Sequence, residues 1–308
     1  MKLNSLTTAA LLSGLCASAI GYGSALAAPV GVEAGSAFTL SPSASRFDIG
    51  ANARVETNGP YQRHVGDKGV FMVDTVTGAT LAVPTSPTIP KPPVGQRSEA
   101  LSQLPALPEP LSTDPVKHNA VASQYLTKAG VPAKEIGGTH VTTTMAGGGP
   151  IASGVQPGKS KLLFYTTHLE RKLNGIPVEN SYAFVAFDKN GNVITQGSYW
   201  PAIPAEVVKQ AVALKAKLAS PSQRSGFLAA AQGASFGGEV KDAGEVRIVH
   251  TGFDHHGKFE AKAVVTTTAK SAFGGKAQVI RLDESQAKVK LADETTTEAE
   301  AVDSPKIK

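Results

Sequence analysis

Between Leu162 and Trp200 the apolar positions recur with a period of two, the spacing of strands, and they are interrupted by two short polar turns. The stretch RKLNGIPVENSYAFVAFDKNGNVI (171–194) contains both turns. Asn174-Gly175 suits a two-residue type I′ turn, because that turn needs positive φ at both central residues. In that register Leu173 faces Ile176 and Lys172 faces Pro177. The N–H that Pro177 lacks then points away from the first strand, and a third strand is barred at that point. The second turn, Asp188 to Asn192, returns the chain for a strand that must stop at Pro201. The pattern predicts a three-stranded meander whose middle strand, 182–187, is apolar on both faces, with a bulge near Glu179-Asn180 able to shift its register. One face is expected to lie under helices, the other against further strands or a partner.

Two helices flank this block in the pattern. Asp114-Pro115 is an N-cap followed by a favoured first helical residue, and Gly130 is placed to end the helix. Val116, Val121, Tyr125 and Leu126 fall near one face of it. Ile203, Val207, Val208, Ala211, Leu214 and Leu218 recur every three or four residues after Pro204 and predict the second. A hairpin is expected over 246–253 and 259–268, a strand over 277–282, and a small hairpin around Thr77-Gly78 within 70–83. The segment before it is rich in Gly, Ser and Ala and predicts loose order. Nine prolines between Pro84 and Pro115 read as an extended linker. The segments are therefore 1–27 signal peptide, 28–83 N-terminal region with a hairpin, 84–113 linker, 114–285 α+β domain and 286–308 disordered tail. The expected fold class is α+β: a small antiparallel meander sheet packed by two helices, with a flexible N-terminal arm.

Composition narrows the function classes. Lys2, the small apolar stretch from Leu6 to Ile20, and Ala25-Leu26-Ala27 make a cleavable export signal, cut after Ala27, so the mature chain is expected in the periplasm or medium. Cys16, the one cysteine, leaves with it, which excludes a disulfide, a thiolate nucleophile or a Cys-ligated metal. The formal charge of +5 falls to about +4 without Lys2, with no dense basic run, against a nucleic-acid partner. No later segment approaches the length of a membrane span.

Several short motifs were weighed for chemistry. Asp188-Lys-Asn190-Gly-Asn192 opens like a calcium loop, but its sixth position is Val193 and its twelfth is Tyr199 where Gly and Glu are needed. Gly233-Ala-Ser235-Phe-Gly237 has the hydrolase-elbow pattern without the strand before it or the helix after it. Gly154 to Ser160 nearly spells a phosphate loop, with the first Gly one residue too close. His255 and His256 are adjacent and point to opposite sides of an extended chain. His168 sits in mid-strand with nothing nearby in sequence to orient it. No catalytic, cofactor-binding or metal-ligating residue is assigned.

HLERKLNGIPVENSYAFVAFDKNGNVITQGSYWP resembles the core of the fungalysin/thermolysin propeptide (FTP) module, a relative of PepSY domains. The resemblance rests on Asn174, Gly175, Ile176, Pro177 and Val178, and on Asp188, Lys189, Gly191, Asn192 and Val193. Where that family usually carries a Gln ahead of this block, Arg171 and Lys172 stand here. Val73 to Gly78 is similar to the hairpin that closes PepSY modules. The resemblance implies a small module that inhibits, or assists the folding of, a secreted thermolysin-like metallopeptidase. His-Glu-x-x-His is absent from the sequence, so the peptidase itself is not encoded here. The expected function is that of an exported, non-catalytic protein-binding module; the alternative is an envelope- or matrix-associated structural module with no peptidase partner.

Overall fold

The structure, a computed structural model, describes residues 32–85, 109–146, 160–235, 237–270 and 277–286, all within the unit Val32–Lys308. The expected signal peptide, most of the proline-rich segment, the phosphate-loop-like stretch up to Lys159, and the expected tail beyond Gln286 lie outside the described residues. The chain runs β1 (Arg54–Asn58), β2 (Tyr61–Val65), β3 (Gly69–Asp74), β4 (Thr80–Pro84), α1 (Pro115–Ala129), a 3-10 turn (Ala133–Glu135) and β5 (Ile136–Ala146). It continues with β6 (Lys161–Leu173), β7 (Ile176–Phe187), β8 (Val193–Tyr199), α2 (Ala205–Ala219) and α3 (Pro221–Gly233). The last strands are β9 (Glu239–Val240), β10 (Glu245–His250), β11 (Ala261–Lys270) and β12 (Gln278–Leu282).

This corrects the expected fold class. The meander is not a small sheet under two helices: among the described residues β6–β7–β8 lies inside one mixed sheet of twelve strands, and three helices cover it. The order is β1-β2-β3-β4-β8-β7-β10-β11-β12, with β5 and β6 joined through β7 and β9 through β11. Arg54–Pro84, expected as part of a flexible arm, supplies four of these strands. The Gly/Ala/Ser stretch after residue 220 is α3, opened by Pro221 and rich in the best helix former, Ala.

The turn chemistry explains why the chain reverses where it does. Asn174 and Gly175 take φ of 49° and 70°, the positive values the turn requires, and Leu173 and Lys172 pair with Ile176 and Pro177. Beyond the hairpin the pairing shifts between Leu169 and Arg171, and Asn180 takes φ of 66°. That irregularity bends β7 into two working halves. Residues 182–187 pair with β8, whereas Val178 pairs in parallel with Ile248 of β10. Pro177, expected to be closed to a third strand, carries no bridge to β10; the seam is the single bridge at the next residue, Val178. Asn180 thickens it, since its side-chain amide donates to His250 O at 2.7 Å.

Opposed residues on antiparallel strands share a face, so the register sorts the sheet's two sides. Phe71, Ala82, Gln196, Val185 and Thr167 form one row on the inner side. There α1 packs, with the segment from Phe38 to Ile49 beside it. The buried residues of α1 are His118, Ala122, Tyr125 and Leu126; Val116 and Val121, expected on the packed face, are exposed. His118 and Tyr125 dock by hydrogen bonds, Nδ1 to Thr167 Oγ1 at 2.8 Å and Oη to Gln196 Oε1 at 2.6 Å. Further along, α2 buries Val208, Ala211, Leu214 and Leu218 against β7, β10 and β11, and α3 covers β9, β11 and β12.

A buried ion pair joins these parts. Glu135 Oε2 accepts from Arg171 Nε at 2.9 Å and Nη2 at 2.7 Å, and from Trp200 Nε1 at 3.1 Å. Glu135 Oε1 accepts from the Ser36 N–H at 2.7 Å. Arg171 also donates to the carbonyls of Ser36 and Pro201, at 2.9 and 2.7 Å, and its guanidinium lies 5.0 Å from the Trp200 ring centre. Both charged side chains are almost fully removed from water. Removing one partner of such a pair strands the other, so Arg171→Met is expected to cost about 3–5 kcal/mol. The double variant with Glu135→Met is expected to recover a large part of that loss, as urea melts of the three proteins will show.

Candidate functional site

The helix-free side of the sheet is where the fold leaves room for a ligand. A single cross-strand row runs over it: Arg63, Met72, Leu81, Gly197, Phe184, His168 and His140. Gly197 is needed in the middle of this row. A Cβ there would sit 2.7 Å from Phe184 Cε1 and 2.8 Å from Thr80 O, so the Phe184 ring lies flat on the space that glycine vacates.

Among the clefts on this side, two are parted by Tyr182, which lines both. The first, of about 600 Å³, has Met72, Ala79 and Leu81 as its floor and Tyr61, Tyr182 and Phe253 as its walls. Phe253 belongs to the Thr251–Glu260 loop. Thr251 and Glu260 close its base through reciprocal hydrogen bonds. Its far side is pinned by His256 Nε2, 2.8 Å from Asp74 Oδ2. Burial works against the Asp74 charge, but the N–H of Val76 and the bonds from His256 and Thr77 outweigh it and hold the carboxyl below its ordinary range. Burial, with Tyr199 adding to it, pushes the Tyr182 phenol up to about 12, so it stays a donor.

The second cleft, of about 380 Å³, is polar, with His140, His168, Glu170, Lys172 and Arg247 around it. The partners that orient His168 are invisible in local sequence: Thr142 Oγ1, 3.2 Å from Nε2, and His140, stacked across β5–β6 at 4.7 Å with the rings 2° from parallel. Burial, then the neighbouring His140 imidazole, lowers the His168 pKa. At the inner end Arg171 Nη1 donates to Ser181 Oγ at 3.2 Å, and Ser181 Oγ lies 2.8 Å from His250 Nε2. His250 Nδ1 faces Thr251 O at 2.9 Å, and a carbonyl only accepts, so Nδ1 carries the hydrogen and Ser181 donates to Nε2. Ser181 therefore bridges guanidinium and imidazole, with a carbonyl rather than a carboxylate behind the ring.

The residues singled out by motif serve the framework. Asn174, Gly175, Ile176, Pro177 and Val178 form the β6–β7 turn and the seam to β10. Asp188, Gly191 and Asn192 form the β7–β8 turn: Asp188 Oδ1 accepts the N–H groups of Asn190 and Asn192 at 2.9 and 2.8 Å, and Oδ2 accepts from Asn192 Nδ2. Both Asp188 oxygens, the first ligands of the calcium-like pattern, are consumed by that turn. Ser235 lies beyond a helix, not a strand, with its Oγ 2.7 Å from the carbonyls of Gln232 and Gly238. His255 is exposed, while His256 holds Asp74. Among the described residues no group of three or more His, Cys, Asp or Glu is arranged to hold a metal ion, and no helix is long and apolar enough to cross a membrane. Sequence reasoning missed Arg171, Glu135, Ser181 and His250 as a group, because they come from four separate elements.

The edges of the sheet differ in the same functional sense. β1 has five residues, with Arg54 and Glu56 among them, and β12 has five with Arg281. β5 has eleven residues, IGGTHVTTTMA, with no Asp, Glu, Lys, Arg or Pro, and among the described residues it pairs only with β6. No family model, curated protein or solved structure matches the chain.

His118 and His250 are buried and neutral, and burial is the first cause of the lowered pKa in each. The folded-state values lie below the unfolded 6.5, so the stability they contribute is complete above pH 6.5 and is lost as pH falls through the folded values. Urea midpoints are expected to fall steadily below pH 6.5, with His250→Gln flattening part of that slope.

Proposed function

We infer that this chain is an exported, non-catalytic polypeptide-binding protein that accepts an extended segment of its partner alongside β5. The observation that carries the reading is the contrast between edges. Sheets ordinarily protect their edges with charge, proline or brevity. β1 and β12 follow that practice and β5 does not. Between its register irregularities at Ile136/Gly138 and Thr144/Met145, this edge without Asp, Glu, Lys or Arg offers a row of backbone donors and acceptors of the kind strand addition uses. The partner class comes from the likeness of residues 174–178 and 188–193 to the propeptide motif: a secreted metallopeptidase of the thermolysin kind, which the protein inhibits or helps to fold. The likeness is confined to β6–β8, and strand addition does not depend on it.

The purified mature chain is expected to slow casein cleavage by a thermolysin-like peptidase and to be captured with it from the secreted fraction. Prolines at Thr142 and at Thr143 test the edge separately, since neighbouring N–H groups on a strand point alternately to β6 and outward. The variant that keeps the parent's melting temperature is expected to lose at least tenfold in affinity, about 1.4 kcal/mol. Undiminished binding by that variant removes the edge from the reading. Fractionation with envelope material, without inhibition, moves the protein to the structural class.

A further inference from the structure

We propose that the apolar cleft between β2–β4 and the Thr251–Glu260 loop is a binding site for a free monocarboxylate with an apolar tail, with Arg63 receiving the carboxylate. The cleft's volume, about 600 Å³, lies within the range that encloses small ligands. Its walls are held apart rather than collapsed. Phe253 is fixed edge-on to Tyr182 and Tyr199, at 6.1 and 6.4 Å between ring centres, and His256 anchors the loop to Asp74 while lying 5.8 Å from the Tyr61 ring. Such aromatic walls around Met72 and Leu81 select an apolar body.

The polar inventory selects the head group. Asp74 is the lining carboxylate, and both its oxygens are occupied: Oδ1 by the N–H groups of Val76 and Thr77, Oδ2 by His256. Thr80 Oγ1 is held by Ser198 Oγ at 2.7 Å. What remains to face a ligand is the Arg63 guanidinium, which only donates, with the Asn58 amide and the Tyr61 and Tyr182 phenols, each able to donate to the same anion. Arg63 is only loosely engaged, reaching Glu56 at 3.4 Å, and that carboxylate is already held by Arg54 at 2.7 Å. Two guanidinium groups thus share one carboxylate, leaving a planar cation at the mouth of an apolar cavity. A carboxylate matches its fork better than a neutral hydroxyl does. The site is separate from the β5 edge and does not depend on strand addition there.

Titration calorimetry with decanoate, against decan-1-ol as the uncharged match, tests this. The intact protein is expected to bind one decanoate saturably and to prefer it to the alcohol at least tenfold. Arg63→Met is expected to abolish that preference while leaving the alcohol within twofold. Phe253→Ser, a change at a half-exposed loop residue, is expected to weaken both ligands, and the β5 proline variant neither. The proposal is overturned by absence of saturable uptake, by equal affinity for acid and alcohol, or by an Arg63→Met protein that still discriminates. Tighter binding of a short peptide ending in Leu or Phe also overturns it, by making the site a chain-terminus receptor.

Discussion

The structure depends on one constraint: a guanidinium and a carboxylate that are both dehydrated must satisfy each other almost completely. Arg171 and Glu135 do so only if five separate stretches of chain arrive together. Ser36 brings the N-terminal segment, Glu135 the turn after α1, Arg171 the middle of the sheet, Ser181 the bend in β7, and Trp200-Pro201 the end of β8. Their mutual attraction compensates for lost hydration only at this geometry, so the pair acts less as a source of stability than as a test of correct assembly. Misplace any one stretch and a charge is buried without its partner.

That test sits where the sheet changes character. β7 serves β8 with one half and β10 with the other, and the left-handed Asn180 makes the change of direction. The backbone seam between β7 and β10 is a single bridge, reinforced by Asn180 and by the Arg171–Ser181–His250 relay. Polar side chains thus do across this junction what ladder hydrogen bonds do elsewhere. One consequence is functional. With helices gathered on the inner side, the other side of β2–β8 stays open, and the loop that follows β10 supplies a wall for its apolar cleft.

How much of this was legible in the sequence divides along physical lines. Local geometry was: Asn174-Gly175 demanded a turn with positive φ, and Asp114-Pro115 and Gly130 marked both ends of α1, because caps and turns are decided within a few residues. Long-range pairing was not. β1 and β2 read as loose chain because Glu56, Arg63 and Gln62 break the apolar alternation, yet β3 pairs with β2 and β2 in turn with β1. α3 was lost among Gly, Ala and Ser for a similar reason: its buried face is Gly226, Phe227, Ala230 and Ala231, too small to show as a stripe. The face of α1 was misassigned because its packing uses a polar residue, His118, in place of Val116 and Val121. Arg171 stood out as a departure from the propeptide pattern, but its partner Glu135 lies 36 positions away. No spacing rule connects them.

The distribution of polar groups finally explains why binding readings fit this molecule better than its motifs do. Asp188, Ser235, Asp74 and His118 each belong to a type that chemistry recruits, and each is occupied by the framework's own hydrogen bonds. An internally satisfied group has little left to offer a substrate, because engaging one means breaking a bond already made in a dry setting. Among the described residues, the capacity that the framework leaves over includes a long strand edge without Asp, Glu, Lys or Arg and an apolar hollow lined by a loosely held guanidinium. The first asks for a backbone and the second for an apolar anion.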